Sequence, residues 1–248
     1  MSSYGAFAQV YDRLMVGFDY PNWADYYLKL IGRMGCEPVR LCDCACGTGS
    51  LTLEFANMGL KVTGVDISES MLSEAQKKAR QRGLSVPFVR QDICKLELPR
   101  PVDAIVCGCD GVNYLLTEER LRAFFRRAHE SLRAGGVLAF DVSTRYKLEQ
   151  ILGNGFFGED GDEVSYLWFN EWNAERASVQ MDLTFFAREA DGRYRRFTET
   201  HVQRAHLFEA LNAALIACGF TDAVCFGDRT FEAPSATEQR MHVAAIRI

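Results

Sequence analysis

Five short apolar runs, Val39–Ala45, Lys61–Asp66, Val86–Arg90, Val102–Cys109 and Gly136–Val142, alternate with segments of helical spacing, and no other property of the chain narrows its fold as much. Each run is too short for a typical helix and rich in Val, Ile or Cys, so each reads as a strand. Between them, Ser68–Arg82 starts with a capping serine, carries Glu69 at its positive end, and gathers Lys77, Lys78, Arg80 and Arg82 before Gly83. Thr117–Arg133 places Leu121, Phe124, Phe125, Ala128 and Leu132 on one helical face. Strands alternating with helices require right-handed crossovers and a mostly parallel sheet covered on both faces, which is a doubly wound α/β core.

This alternation is framed by other patterns. Upstream, Trp23, Tyr26, Tyr27, Leu30, Ile31 and Met34 mark an amphipathic helix with Pro21 in its first turn, and the stripe Phe7, Tyr11, Leu14 and Met15 marks a shorter one. Downstream, residues from about Val164 to Arg204 read as strands, with Asp191-Gly192 turning a hairpin between Met181–Arg188 and Tyr194–Gln203. The expected organisation is a core of residues 1–144 and 205–248, with 1–36 as a helical cap, interrupted by an antiparallel β insertion at 145–204. A helix near Ala205–Cys218 and strands near Ala223–Phe226 and Met241–Ile248 complete the core.

Composition excludes several classes. With 48% hydrophobic residues and 12% aromatics, the 248 residues can bury enough surface to offset chain entropy, so disorder is excluded. No apolar stretch approaches the roughly 20 residues of a membrane span. Asp12 interrupts the opening MSSYGAFAQVYDRLM, which is therefore not read as a signal peptide, and the expected location is the cytoplasm. Nine cysteines without a regular framework agree with a reducing compartment. A net charge of −5 argues against a nucleic-acid partner, and the run Arg193, Arg195, Arg196 reads as a solvated loop. Arg122, Arg126 and Arg133 read as one solvated helix face. Cys42, Cys44 and Cys46 alternate along a strand, read here as unable to point all three at one ion, and no second ligand pair sits at zinc spacing, so no metal is expected.

Chemistry concentrates where the first strand turns into a helix, at Leu41-Cys42-Asp43-Cys44-Ala45-Cys46-Gly47-Thr48-Gly49-Ser50. A glycine-rich turn there brings backbone N–H groups close to a ligand. The dinucleotide pattern is incomplete, because Thr52 takes the third glycine position, which counts against an NAD(P)-dependent oxidoreductase. Asp66 ends the second strand, where a carboxylate can accept from ribose hydroxyls, and Asp92 follows the third. Three carboxylates, Asp43, Asp66 and Asp92, make a poor diphosphate site and suit a cationic nucleoside.

Through CDCACGTGSLT, GVDISESMLSEA, VRQDICKL and VDAIVCGCDGVNYL, in this order, the chain resembles the class I S-adenosylmethionine-dependent methyltransferases. Through YGAFAQVYDRLM, DVSTRYKLEQIL, SYLWF and ETHVQRAH it resembles a family of small bacterial methyltransferases with a β insertion. The resemblance implies a Rossmann-like sheet with a reversed last strand and an antiparallel β lid. It implies S-adenosyl-L-methionine as cofactor, with Asp43, Cys44, Gly47 and Gly49 around its amino-acid moiety, Asp66 and Ile67 at ribose and adenine, and Asp92 and Ile93 at the adenine. Cys109 and Asp110 would line the methionine portion, Asn113 and Tyr114 would lie near the methyl, and Tyr4 and Tyr11 would fold over the cofactor. Ala45 replaces a glycine of the usual motif.

Methyl transfer from a sulfonium needs alignment, desolvation and sometimes proton removal, so no conspicuous catalytic motif is required. Strand alternation puts Glu199, His201 and Gln203 on one face of the insertion. With Arg204, Trp168 and Tyr146, this face is expected to cover a small-molecule acceptor, and His201, Tyr114 and Arg204 are the candidate catalytic groups. A noncatalytic binder of S-adenosylmethionine or its demethylated product would share the cofactor residues. The aromatic strand Tyr166, Trp168 and Phe169 leaves room for a homodimer contact.

Overall fold

The computed structural model describes residues 4–248, with side chains from residue 7 onward. β1 (Arg40–Cys44), β2 (Lys61–Asp66), β3 (Phe88–Arg90), β4 (Val102–Cys107) and β5 (Leu132–Ser143) form the parallel part of one sheet. β10 (Val224–Phe226) and β11 (Arg240–Ile246) complete it in the order β10-β11-β5-β4-β1-β2-β3. β11 runs antiparallel to β5, from Arg240 opposite Ser143 to Ile246 opposite Val137. The chain leaves β1 towards β2 and β3, then returns to β4. The order therefore reverses between β1 and β4, and a crevice opens at their carboxyl ends.

Helices cover both faces because their apolar stripes have nowhere else to be buried. α2 (Tyr20–Arg33) and α3 (Ser50–Asn57) bury Trp23, Tyr27, Leu30, Ile31, Leu51 and Phe55 against one face. α5 (Glu118–Ser131) and α6 (Phe208–Ala217) bury Phe124, Phe125, Leu211 and Leu215 against the other. Pro21 lies in the first turn of α2, where Asp19 accepts from Asn22 N at 3.1 Å. In α4 (Glu69–Gln81), Ser68 accepts from Met71 N.

The insertion forms a separate antiparallel sheet of β6 (Phe156–Glu159), β7 (Val164–Asn173), β8 (Ser178–Arg188) and β9 (Tyr194–Arg204). Asp191-Gly192 turns the β8–β9 hairpin, with Gly192 at φ 85° and its N–H donating to Glu189 O. α1 (Tyr4–Leu14) lies between this sheet and the core: Phe7, Ala8 and Val10 pack with Met71 of α4 and with Val164, Phe185 and Ala187.

Several expectations need correction. β4 ends at Cys107, because Cys109 and Asp110 both turn left-handed, at φ 53° and 65°. The helix expected to reach Arg133 ends at Ser131, and Leu132 already pairs with Val102 as the start of β5. Arg133 is thus a strand residue that donates to Asp103 at 2.6 Å rather than part of a solvated helix face. The stretch before Val164 holds a π-helical turn, Tyr146–Leu152, which follows no α-helix period, and β6, whose four residues are too few to show a strand alternation. Cys42 and Cys44 share a face, Sγ to Sγ 3.7 Å, as residues two apart in a strand must, which overturns the reading that alternation separates them. Among the described residues no group of three His, Cys, Asp or Glu is placed to hold a metal ion, and no helix is long and apolar enough to cross a membrane. Phe169 faces outward beside Phe156, ring centroids 4.5 Å apart, whereas Trp168 faces the opposite side of the same strand.

Candidate active site

The crevice at the switch point is built by the turn that follows β1. Ala45, Gly47 and Gly49 all have positive φ, so the backbone folds back and offers its N–H groups to the neighbouring strand end. Gly47 N donates to Asp66 Oδ2 and Ser68 N to Oδ1, both at 2.8 Å, which fixes the carboxylate at the end of β2. Burial raises the Asp66 carboxyl above its ordinary value against these donors, which favour the ionised form. Asp43 is 1% exposed at the end of β1, with Thr52 donating to Oδ2 at 2.5 Å. Burial pushes its carboxyl up to about 7.

A cavity of about 250 Å³ runs along this edge between Gly47, Asp66, Ile67, Asp92 and Ile93 below and Phe7, Tyr11, Tyr114 and His201 above. A recess of about 60 Å³ shares Tyr11, Ala45, Gly47 and Cys109 with it and reaches Asp43, Tyr20 and Ser50. A further cavity of about 210 Å³ lies under the inserted sheet, lined by Asp110, Lys147, Trp168, Met181 and Gln203. Phe7, Tyr11, Tyr114 and His201 line both of the larger two. An open groove of about 600 Å³ near Arg40, Lys61 and Arg100 lies at the amino ends of β1 and β2, away from the carboxyl edge of the sheet, where α/β folds bind ligands.

The candidate residues separate on this geometry. Asp43, Gly47, Asp66, Ile67, Asp92, Ile93, Cys109 and Tyr11 line the first cavity or its recess. Asp92 also caps Cys94 N at 3.0 Å and meets Arg120 at 3.1 Å; burial would raise its carboxyl, but these donors hold it below the ordinary value. The Cys44 side chain is instead fully buried in the core. Gly49 packs inward too, since an added Cβ would lie 2.9 Å from Ala75 Cβ and from the Phe88 ring. Asp110 lines the second cavity, not the first, because the left-handed turn swings it towards Arg240. Asn113 is buried, and its amide bonds Ser143 N, Ser143 O and Arg204 O, tying the end of the inserted sheet to β5. Arg204 donates to Leu116 O at 3.1 Å and lines neither cavity, because it has the opposite strand parity to His201 and Gln203. Tyr146 lines neither as well. The side chain of Tyr4 lies outside the described ones.

Tyr114 Oη lies 3.3 Å from His201 Nδ1 at the boundary of the two cavities. Burial pushes the His201 imidazolium pKa down, so the ring is neutral at pH 7. Sequence reasoning missed the group beneath this boundary. Asp141 Oδ1 accepts from Tyr27 Oη at 2.6 Å and from Cys109 N at 2.7 Å, and Oδ2 accepts from Asp110 N at 3.1 Å and from Arg240. The signal for it was a carboxylate between Phe140 and Val142 in a strand buried on both faces, which demands a partner.

An open, doubly wound sheet whose switch-point edge presents a glycine turn, a carboxylate fixed by two backbone N–H groups and a buried acid defines an α/β ligand-binding protein with its crevice at the carboxyl ends of β1 and β4. The comparisons name the family. A family described as "Methyltransferase domain" matches residues 41–136. A protein of Geobacillus sp. (strain WCH70), assigned by name to the methyltransferases, is 38% identical over 98% of this chain and 99% of its own. The crystal structure of an S-adenosylmethionine-dependent methyltransferase from Clostridium acetobutylicum ATCC 824 superposes with a TM-score of 0.89 at 32% identity, covering 99% of both chains. The dTDP-4-amino-2,3,4,6-tetradeoxy-D-glucose N,N-dimethyltransferase of Saccharopolyspora spinosa is 30% identical over 54% of this chain and 53% of its own. The chain belongs to the S-adenosylmethionine-dependent methyltransferases and is an enzyme of that family.

Proposed function

We propose that this enzyme methylates a small molecule held in the cavity under the inserted sheet, with His201 as the proton acceptor. The observation that carries the reading is the shared wall: Phe7, Tyr11, Tyr114 and His201 line both the cofactor-side cavity and the 210 Å³ cavity beneath the lid. The cofactor site fits the group the family uses, since an added Cβ on Gly47 would meet nothing within 4 Å, which leaves open space for a ligand there, and the acids Asp43 and Asp66 line the cavity and its recess, where they would complement a cationic nucleoside. In this reading Asp66 receives the ribose hydroxyls, Ile67 and Ile93 flank the base, and Asp43 faces the amino-acid end. S-adenosylmethionine supplies a methyl group already activated on a sulfonium.

The chain's own task is alignment and desolvation. Phe7 and Tyr11 exclude water from the boundary, and the neutral His201 ring, positioned by Tyr114, takes the proton that the acceptor loses. The amino-sugar methyltransferase relative supports a small acceptor. Nine free cysteines suit a cytoplasmic setting. The test is incubation with labelled donor and a macromolecule-free cell extract, followed by mass spectrometry for a product heavier by one methylene. His201→Ala is expected to lower kcat about 10²–10⁴-fold, the scale of a lost general base, with a far smaller change in S-adenosylhomocysteine affinity. Wild-type turnover in that variant removes His201 from the mechanism.

A further inference from the structure

We infer that the acceptor carries an anionic group, a carboxylate or a phosphate, and that Lys147 receives it; this rests on the methyl-transfer reading above. Lys147 sits in the π-helical turn Tyr146–Leu152, a rare feature that is frequent at functional sites. Its side chain lines the acceptor cavity beside Trp168, Met181 and Gln203. Its Nζ has one hydrogen bond among the described residues, to Ser143 Oγ at 3.2 Å, although an ammonium offers three donors.

The neighbouring carboxylates make their hydrogen bonds elsewhere. Asp110 accepts from Ser143 Oγ at 2.9 Å and from Arg240; burial would raise its carboxyl, but the charges of Arg240 and Lys147 hold it below the ordinary value, Lys147 without direct contact. Arg240 also reaches Asp141, and Asp141 is met by Tyr27 Oη and the N–H groups of Cys109 and Asp110. Lys147 forms no ion pair among the described residues, whereas Arg240 forms two in the same cluster. Burial, the largest influence on Lys147, pushes its pKa down despite Asp110 nearby, so an arriving anion would relieve an ammonium stripped of water. Trp168, Leu152, Met181 and Leu183 supply apolar walls around that charge. The cavity therefore favours an apolar molecule with one anionic end, oriented by Lys147 at one side and by the His201 boundary at the other.

The experiment splits a macromolecule-free cell extract on an anion-exchange resin at pH 7 before any reaction, then offers each pool to the enzyme with labelled donor. The wild type is expected to label an acceptor from the retained pool only. With that pool, Lys147→Met should raise KM by about tenfold or more, the lower end for a lost charge-assisted hydrogen bond, and Lys147→Arg should recover part of the loss. Affinity for S-adenosylhomocysteine and the unfolding midpoint serve as controls for folding. Pretreating the retained pool with alkaline phosphatase narrows the anion: lost labelling means a phosphate monoester, and persistent labelling means a carboxylate or a phosphodiester. Labelling from the flow-through pool alone, or wild-type kinetics in Lys147→Met, overturns the inference while the methyltransferase reading stands. No labelling from either pool by the wild type refutes that reading itself.

Discussion

Asp43→Asn probes whether the buried acid at the end of β1 is the counter-charge for the cofactor. Asp43 is 1% exposed, and burial is the main reason its carboxyl rises to about 7, with Thr52 opposing and Asp66 adding to the rise. A cation bound beside it favours the ionised form and should return the carboxyl towards its ordinary value of about 4. The sign follows from this difference. Above about pH 8 the carboxylate is ionised with or without ligand. At pH 6 about nine-tenths of the free protein holds a proton that binding must expel, at a cost of about 1.4 kcal/mol, so affinity should be about tenfold lower than at pH 8. Titration calorimetry with S-adenosylmethionine at pH 6.5, in buffers of different ionisation enthalpy, should show release of roughly three-quarters of a proton. Asp43→Asn should bind more weakly at pH 8 and release correspondingly less. Wild-type affinity that is flat between pH 6 and 8, or undiminished proton release in Asp43→Asn, refutes the assignment.

Two further outcomes test the local architecture. Gly47→Ala and Gly49→Ala both force an L residue into positive φ, at about 1–2 kcal/mol each, but only an alanine at 49 would meet Ala75 and Phe88 at 2.9 Å; urea unfolding should penalise Gly49→Ala more, whereas calorimetry should show lost cofactor binding in Gly47→Ala. His206 is 5% exposed, and burial pulls its pKa down to about 4, below the unfolded value, so its contribution to stability is intact above about pH 6.5 and fades as pH falls towards 4. Between those limits the wild type should lose about 3 kcal/mol more than His206→Gln, and parallel pH–stability curves would refute this.

The legible parts of this chain are those set by short-range periodicity. Strand runs, capped helices and the Asp191-Gly192 hairpin each announce themselves within a dozen residues, and the donor-side residues Asp43, Gly47, Asp66 and Asp92 fall at strand ends that the same patterns locate. The misplaced residues depend on something that periodicity does not encode. Asp110 moves to the second cavity because two non-glycine residues, Cys109 and Asp110, turn left-handed, and Asp141 holds that turn through both of their N–H groups. Arg240 reaches the same cluster from β11, 99 residues beyond Asp141, so no local pattern could pair them. Lys147 lies in a π-helical turn, whose side chains follow neither a 3.6 nor a 2.0 period. These residues share an origin: Asp141, Lys147, His201, Gln203 and Arg240 all lie beyond the family match at residues 41–136, whereas the donor-side carboxylates lie within it. On the proposed reading, donor chemistry is thus written in the shared motif, and acceptor chemistry in β5, the insertion and the reversed strand. That reading lets acceptor specificity diverge between relatives that keep the same donor site, and it locates that specificity in the charges facing the second cavity.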